Sequence, residues 1–210
     1  MILEIAKLGI PFVVIHYDEN YLLNNVENTS LSVINTLDYE AGMEATEYLI
    51  ARGHRKIAFL NGRLTNYSAY ERFRGYLDTM KKHNLPLKKE LILHGKYLKH
   101  LTEMEIKRMV ESKELPTAII CCNDDMALIT LNLLREYKIR VPEDISVISF
   151  DNIPLSEYTE PKLTTFNLPI YEIAEKSFET LQKLLSFKKS STHTFPMPLI
   201  ERGSVARVDG

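Results

Sequence analysis

The chain has 210 residues, 45% hydrophobic and 26% charged, with a formal net charge of −2 and a sequence pI of about 6.3. These are ordinary globular values, enough chain for one or two α/β domains with real cores, and they exclude the basic field of a nucleic-acid-binding surface. Two cysteines, adjacent at Cys121 and Cys122, cannot build a disulfide framework and point to a reducing, cytoplasmic compartment.

The opening MILEIAKLGIPFVV carries Glu4, has no basic leading region and has no small-residue cleavage site, so it does not read as a signal peptide. No apolar run is long enough to span a bilayer, so no membrane partner is expected. Ile2 to Leu8 reads as the last turns of a helix closed by Gly9. Phe12 to Ile15 is a continuous apolar strand of the kind buried on both faces. The Asn-rich segment from Tyr17 to Ser30 reads as a loop, and Leu31 to Leu37 as a short strand or connector. Asp38 is a plausible N-cap for a helix from about Tyr39 to Arg52. Gly53-His54 ends it, and Lys56 to Leu60 is the next strand. Then come a loop to Ser68, a helix from Ala69 to His83, a strand at Leu91 to Leu93 and a loop at Gly95 to Lys99. A helix at Thr102 to Glu111, a strand at Ala118 to Cys122 and a helix at Asp125 to Tyr137 lead to a strand at Ile145 to Phe150.

Strand and helix alternate with short polar joints from Pro11 to Asp151, which predicts an α/β fold with parallel sheets flanked by helices. Right-handed crossovers place all the loops that follow strands on one edge. Arg72, Tyr97, Asn123 and Asp151 fall on that edge, where open α/β sheets hold ligands. The last third differs. Ile170, Ile173, Ala174, Ser177, Phe178, Leu181, Leu184 and Leu185 follow helical spacing, with Glu172, Glu175, Lys176 and Lys183 on the other face. Phe187 to Thr194 reads as a flexible polar segment, and Leu199 to Arg202 as a final strand.

Each candidate has a plainer reading beside the binding one. Asp151 closes a strand and could simply cap the turn Asn152-Ile153-Pro154. Asn123 could cap the helix that follows it, although Asp124 could do the same. An arginine on a helix, such as Arg72, is most often a solvated charge. Tyr97 is one tyrosine among 11. Cys121 and Cys122 read as small core residues, and His54 as a structural histidine at a helix-to-strand turn. No metal-ligand spacing, nucleophile elbow, phosphate loop or dinucleotide fingerprint is present, so neither a metal, a cofactor nor a catalytic residue is expected.

Five ordered stretches carry a resemblance: GIPFVVIH from Gly9, LIARGHRKIAFLNG from Leu49, SAYERFRGY from Ser68, LPTAIICCNDDMAL from Leu115, and VPEDISVISFDN from Val141 with EPKLTT to Thr165. The ending LIERGS from Leu199 fits as well. Together they resemble the lactose-repressor (LacI/GalR) family of transcriptional regulators, in its effector-binding domain of the periplasmic-binding-protein type I fold. The resemblance implies a two-lobed domain, with residues 1–37 and 167–190 forming a partial N-terminal lobe and residues 38–166 and 191–206 the C-terminal lobe. It implies a small sugar-like effector between lobes, homodimerisation, and operator binding only through a helix-turn-helix that would precede Met1, as would the first strands of the N-terminal lobe. It also implies ligand-binding roles for Arg72, Asn123 and Asp151, with an aromatic at Tyr97 stacking on the ligand. His16 departs from the acidic or amide residue that is usual there. It could bond a ligand, sit satisfied at a strand end, or respond to pH. The alternative reading is a solute-binding receptor of a sugar transport system with the same fold. An enzyme of Rossmann-like type would need a phosphate cradle or an acid–base pair on the same edge.

Overall fold

The computed structural model describes residues 2–18, 21–22, 31–112, 114–187 and 190–208. They fall into two compact units, Met1–Leu37 with Pro169–Met197, and Asp38–Leu168 with Pro198–Gly210.

The larger unit is a six-stranded sheet of order β4-β3-β5-β6-β7-β9. Its strands are β3 (Ile57–Asn61), β4 (Ile92–His94), β5 (Ala118–Cys121), β6 (Ser146–Asp151), β7 (Thr164–Asn167) and β9 (Leu199–Ile200). All neighbours run parallel except β9, which pairs antiparallel with β7. Every residue of β3 and β5 is buried, which is why these strands read as unbroken apolar runs rather than alternating ones. Helix α2 (Asp38–Ala51) leads into β3, and α3 (Tyr67–Lys82), α4 (Lys99–Glu111) and α5 (Asp124–Glu136) connect the strands from β3 to β6.

The core is aromatic on the α3 side. Phe59 packs on Phe73 and Tyr76 at ring separations of 5.3 and 5.1 Å, and the Tyr76 hydroxyl donates to the Ile57 carbonyl at 2.9 Å. A buried tyrosine thereby keeps its polar end satisfied. Helices α2 and α3 touch backbone to backbone. A Cβ on Gly42 would lie 2.2 Å from the Arg72 carbonyl oxygen, and one on Gly75 2.3 Å from that of Tyr39. His54 is 1% exposed, with Nε2 at 3.2 Å from the Ala206 carbonyl and Nδ1 at 3.0 Å from the Thr117 hydroxyl. A carbonyl only accepts, so Nε2 carries the hydrogen, and burial lowers the pKa of the ring.

The smaller unit contains a three-stranded sheet of order β1-β2-β8, all parallel, with β1 (Phe12–Ile15), β2 (Leu31–Thr36) and β8 (Thr192–Phe195). Helix α6 (Ile170–Phe187) belongs to it, as does the short α1 (Ile2–Lys7), and Gly9 takes a left-handed φ of 66° just beyond α1. A small apolar cluster of Leu22, Leu31 and Val33 forms its core.

Several expectations change. The polar segment after Phe187 is not wholly flexible: Thr192–Phe195 pairs with β2. Alternating Thr-His-Thr-Phe suits an edge strand, half-exposed along its length. Residues 191–197 therefore fold with the smaller unit rather than with the larger one. Strand β7 was not anticipated, because TTFN is too short and polar to stand out. The final strand is shorter than expected and ends at Ile200. Along α6, Ile173, Thr180 and Leu184 face inward, while Ile170, Phe178 and Leu185 are at least 60% exposed. Most of the loop expected from Tyr17 to Ser30 lies outside the described residues. Its first residue is held by Asn35, which bonds both the Tyr17 amide and its carbonyl at 3.0 Å.

The close approach of α2 and α3 makes a prediction. Gly42→Ala should lower stability in urea titrations by about 1–3 kcal/mol, because the methyl meets rigid backbone rather than a movable side chain. An unchanged midpoint would show that the two helices can part freely.

Candidate functional site

Helix α3, the end of β6 and the segment after β4 bring Arg72, Asp151 and Tyr97 together around Cys122, and Asn123 follows Cys122 in the chain. Arg72, on α3, is only 3% exposed. Its Nε donates to Asp38 Oδ1 at 2.7 Å, and its Nη1 to the Cys122 carbonyl at 2.7 Å and to Asp151 Oδ1 at 3.3 Å. The guanidinium also lies 4.6 Å from the centre of the Phe150 ring. Burial by itself would lower its pKa, but the carboxylates of Asp38 and Asp151 hold it above the ordinary value. The reading of Arg72 as a solvated surface charge is thereby excluded.

Asp151 ends β6 with its side chain 25% exposed. Burial pushes its carboxyl up to about 6, Arg72 opposes that, and Asp124 and Asp38 add to it. Its φ is 110° and that of Asn152 is 55°, conformations that cost an L-residue on the order of 1–3 kcal/mol and cluster at functional sites. Tyr97 is a third such residue, with φ of 62°. Its ring lies flat against Gly62, where an added Cβ would be 2.2 Å from the ring, and its hydroxyl sits 3.3 Å from Cys122 Sγ. Only glycine at position 62 lets the ring lie there.

Asn123 does what the plainer reading expected. It is the N-cap of α5, its Oδ1 accepting from the Met126 amide at 3.1 Å. This occupies the acceptor and leaves the amide nitrogen to point elsewhere. Asp124 is not the cap. It is fully buried and accepts from the Thr165 hydroxyl at 2.7 Å, from the Ile153 amide at 2.9 Å and from Ser149. Burial raises its pKa, and those three bonds resist the rise. His16 belongs to the smaller unit, with φ of 55°, its amide donating to the Ile34 carbonyl at 2.9 Å and its Nε2 3.3 Å from the Thr36 hydroxyl.

Asp38, Asp124 and Asn61 were missed as site residues. Asp38 looked like a helix cap, and its partner stands 34 positions away. Asn61 closes β3, fully buried, and its amide atoms have no hydrogen-bond partner among the described residues. The signal available for it was its place at a strand end directly before Gly62. The two cysteines are buried, as expected, and burial pushes the Cys121 thiol up to about 12, so neither is a poised nucleophile. Among the described residues no cluster of His, Cys, Asp or Glu could hold a metal ion, and no helix is long and apolar enough to cross a membrane.

Comparison with known proteins decides what this edge belongs to. The family model for a periplasmic binding protein-like domain matches residues 46–205. The HTH-type transcriptional repressor PurR of Vibrio atlanticus is 38% identical over 168 residues, 79% of this chain and 50% of that protein. The chain belongs to the LacI family, as its periplasmic binding protein-like effector-binding domain. Another LacI-family relative, the probable HTH-type transcriptional repressor ExuR of Bacillus subtilis, is 34% identical over 185 residues, 88% of this chain and 54% of the relative. The chain thus spans about half the length of the curated relatives it matches. A putative LacI transcriptional regulator from Bacillus cereus subsp. cytotoxis superposes with a TM-score of 0.88 at 26% identity, over 99% of this chain and 72% of that one. The Escherichia coli transcriptional repressor ascG gives 0.79 at 27% identity, over 98% and 82%. The expected fold class stands: α/β, with mostly parallel sheets, of periplasmic-binding-protein-like type.

The raised carboxyl of Asp151 fixes a pH dependence. Its folded value of about 6 lies above the ordinary 3.8, so its contribution to stability is complete below pH 3.8 and is lost as pH rises through 6. Asp151→Asn should therefore gain stability relative to the parent between pH 4 and pH 7, by about 1–2 kcal/mol in paired urea titrations. A difference that is the same at both pH values would contradict the raised carboxyl.

Proposed function

We propose that the edge built around Arg72 is the effector site of a LacI-family regulator, and that its ligand is a small polar molecule of the sugar class. The observation that carries this is the fixed guanidinium beside a strained, partly exposed carboxylate. Arg72 cannot swing away, and it aims Asp151. Asp151 accepts from ligand hydroxyls, and the Asn123 amide nitrogen donates. Tyr97 offers a flat apolar face with a polar tip. The roles of Arg72, Tyr97, Asn123 and Asp151 are those the family resemblance implies, and the family membership supports carrying them over.

In a regulator of the length of its relatives, ligand occupancy would favour one of two arrangements and so change operator affinity by a coupling free energy. We further propose that the chain acts as a homodimer in the cytoplasm. The transport-receptor alternative is not favoured, because the relatives named above are transcriptional repressors.

The test is a thermal-shift screen of the purified chain against hexoses, pentoses and amino sugars. At least one should raise the melting temperature in a saturable way. Arg72→Ala and Asp151→Ala should abolish that shift, and Asn123→Ala should weaken it. A shift that survives intact in both Arg72→Ala and Asp151→Ala would place the site elsewhere.

A further inference from the structure

The effector reading gives no part to Asp38. The side chain is 1% exposed, opens α2, and takes Arg72 Nε at 2.7 Å. Asp151 approaches the same guanidinium at 3.3 Å. A third carboxyl, Asp124, lies buried at the start of α5, close enough to act on Asp151. Arg202 is a cation that acts on Asp124. Its guanidinium is engaged by the Leu163 carbonyl, Ser156, Asn152 and Glu157, at 2.8 to 3.1 Å. One buried guanidinium thus faces carboxyl groups from α2 and β6. Helix α5 offers no anion seat either: its first turn carries Asp124 and Asp125, and its cap is already Asn123.

We infer that Asp38 is a positioning residue that neutralises Arg72, so that this edge presents Asp151 and Asn123 and takes an uncharged hydroxyl-bearing or an amine-bearing group in preference to a phosphate or carboxylate. The inference rests on the effector reading for the place where the ligand lies. A buried arginine attracts an anion only with the charge that its own partners leave unbalanced. Here two carboxylates already answer it. An incoming phosphate would have to sit within reach of Asp151, a group whose surroundings already resist negative charge. Hydroxyls and amines meet the opposite situation, an acceptor with no need to change its charge.

The experiment uses inorganic phosphate as the probe, on the whole chain, by thermal shift and calorimetry. The parent should show no saturable response. Asp38→Asn keeps an acceptor for Arg72 Nε but removes one negative charge, and it should bind phosphate roughly tenfold or more tighter than the parent. Asp151→Asn should gain in the same direction, which keeps the question decidable if Asp38→Asn does not fold. A role of Asp38 in folding alone would lower the melting temperature of its variant without creating any phosphate response. Phosphate binding by the parent as tight as by the variants, or no gain in either variant that folds, would overturn the inference. The readout needs no identified effector. Failure here leaves the sugar screen to judge the effector reading, and a phosphate gain beside a failed sugar screen would sink that reading alone.

Discussion

A positive charge buried in protein must be answered where it stands, and in this molecule the answer organises one whole edge of the larger unit. Arg72 is held by Asp38, by the Cys122 carbonyl, by Asp151 and by the face of Phe150. Those partners come from the start of α2, the end of β5 and the end of β6, so a single side chain on α3 ties four elements. Such a network is weak evidence for stability, since the desolvation of its charges offsets much of their attraction. Its effect is geometric. Removing either carboxylate leaves the buried charge only partly answered, so the arrangement tolerates little drift, and a ligand arriving there meets donors and acceptors already in place.

The backbone is shaped to allow this. Glycines at 42 and 75 let α2 and α3 meet without side chains between them, which brings Asp38 within reach of Arg72. Glycine at 62 gives the Tyr97 ring its seat. Asp151 and Tyr97 hold positive φ values that their side chains resist, and the surrounding packing sustains that strain. Asp151 ends β6, Asn152 follows it, and Tyr97 follows β4, so these three strained residues lie at or past strand ends of the larger unit.

Much of this was legible in the sequence. Unbroken apolar runs at 57–60 and 118–121 announced strands buried on both faces, and their alternation with helices announced the parallel order. Right-handed crossovers then put Arg72, Tyr97, Asn123 and Asp151 on one edge without reference to any relative. What remained hidden was whatever depended on a partner far along the chain. Asp38 carried the local signature of a helix cap, and nothing nearby announced that its carboxylate answers a guanidinium from α3. Asp124 looked like an alternative cap and is instead a buried acceptor for two strands. Strand β8 looked like a linker, because Thr-His-Thr-Phe becomes a strand only once β2 offers an edge. Local propensity identifies elements, and tertiary pairing decides which polar residues they deliver inward.

Charge placement is the property that links fold and recognition here. If Arg72 is balanced by its own protein partners, the edge is prepared for hydroxyls rather than for anions, and Asp38 belongs to recognition as much as to architecture. The most direct measurement is the coupling energy between Asp38 and Arg72 from a double-mutant cycle of Asp38→Ala and Arg72→Ala, read from urea titrations. A buried, mutually balanced pair predicts a favourable coupling of about 1–3 kcal/mol. Strictly additive effects, with a coupling no larger than about 0.3 kcal/mol, would mean that Asp38 does not hold the guanidinium and that the edge is organised by something else.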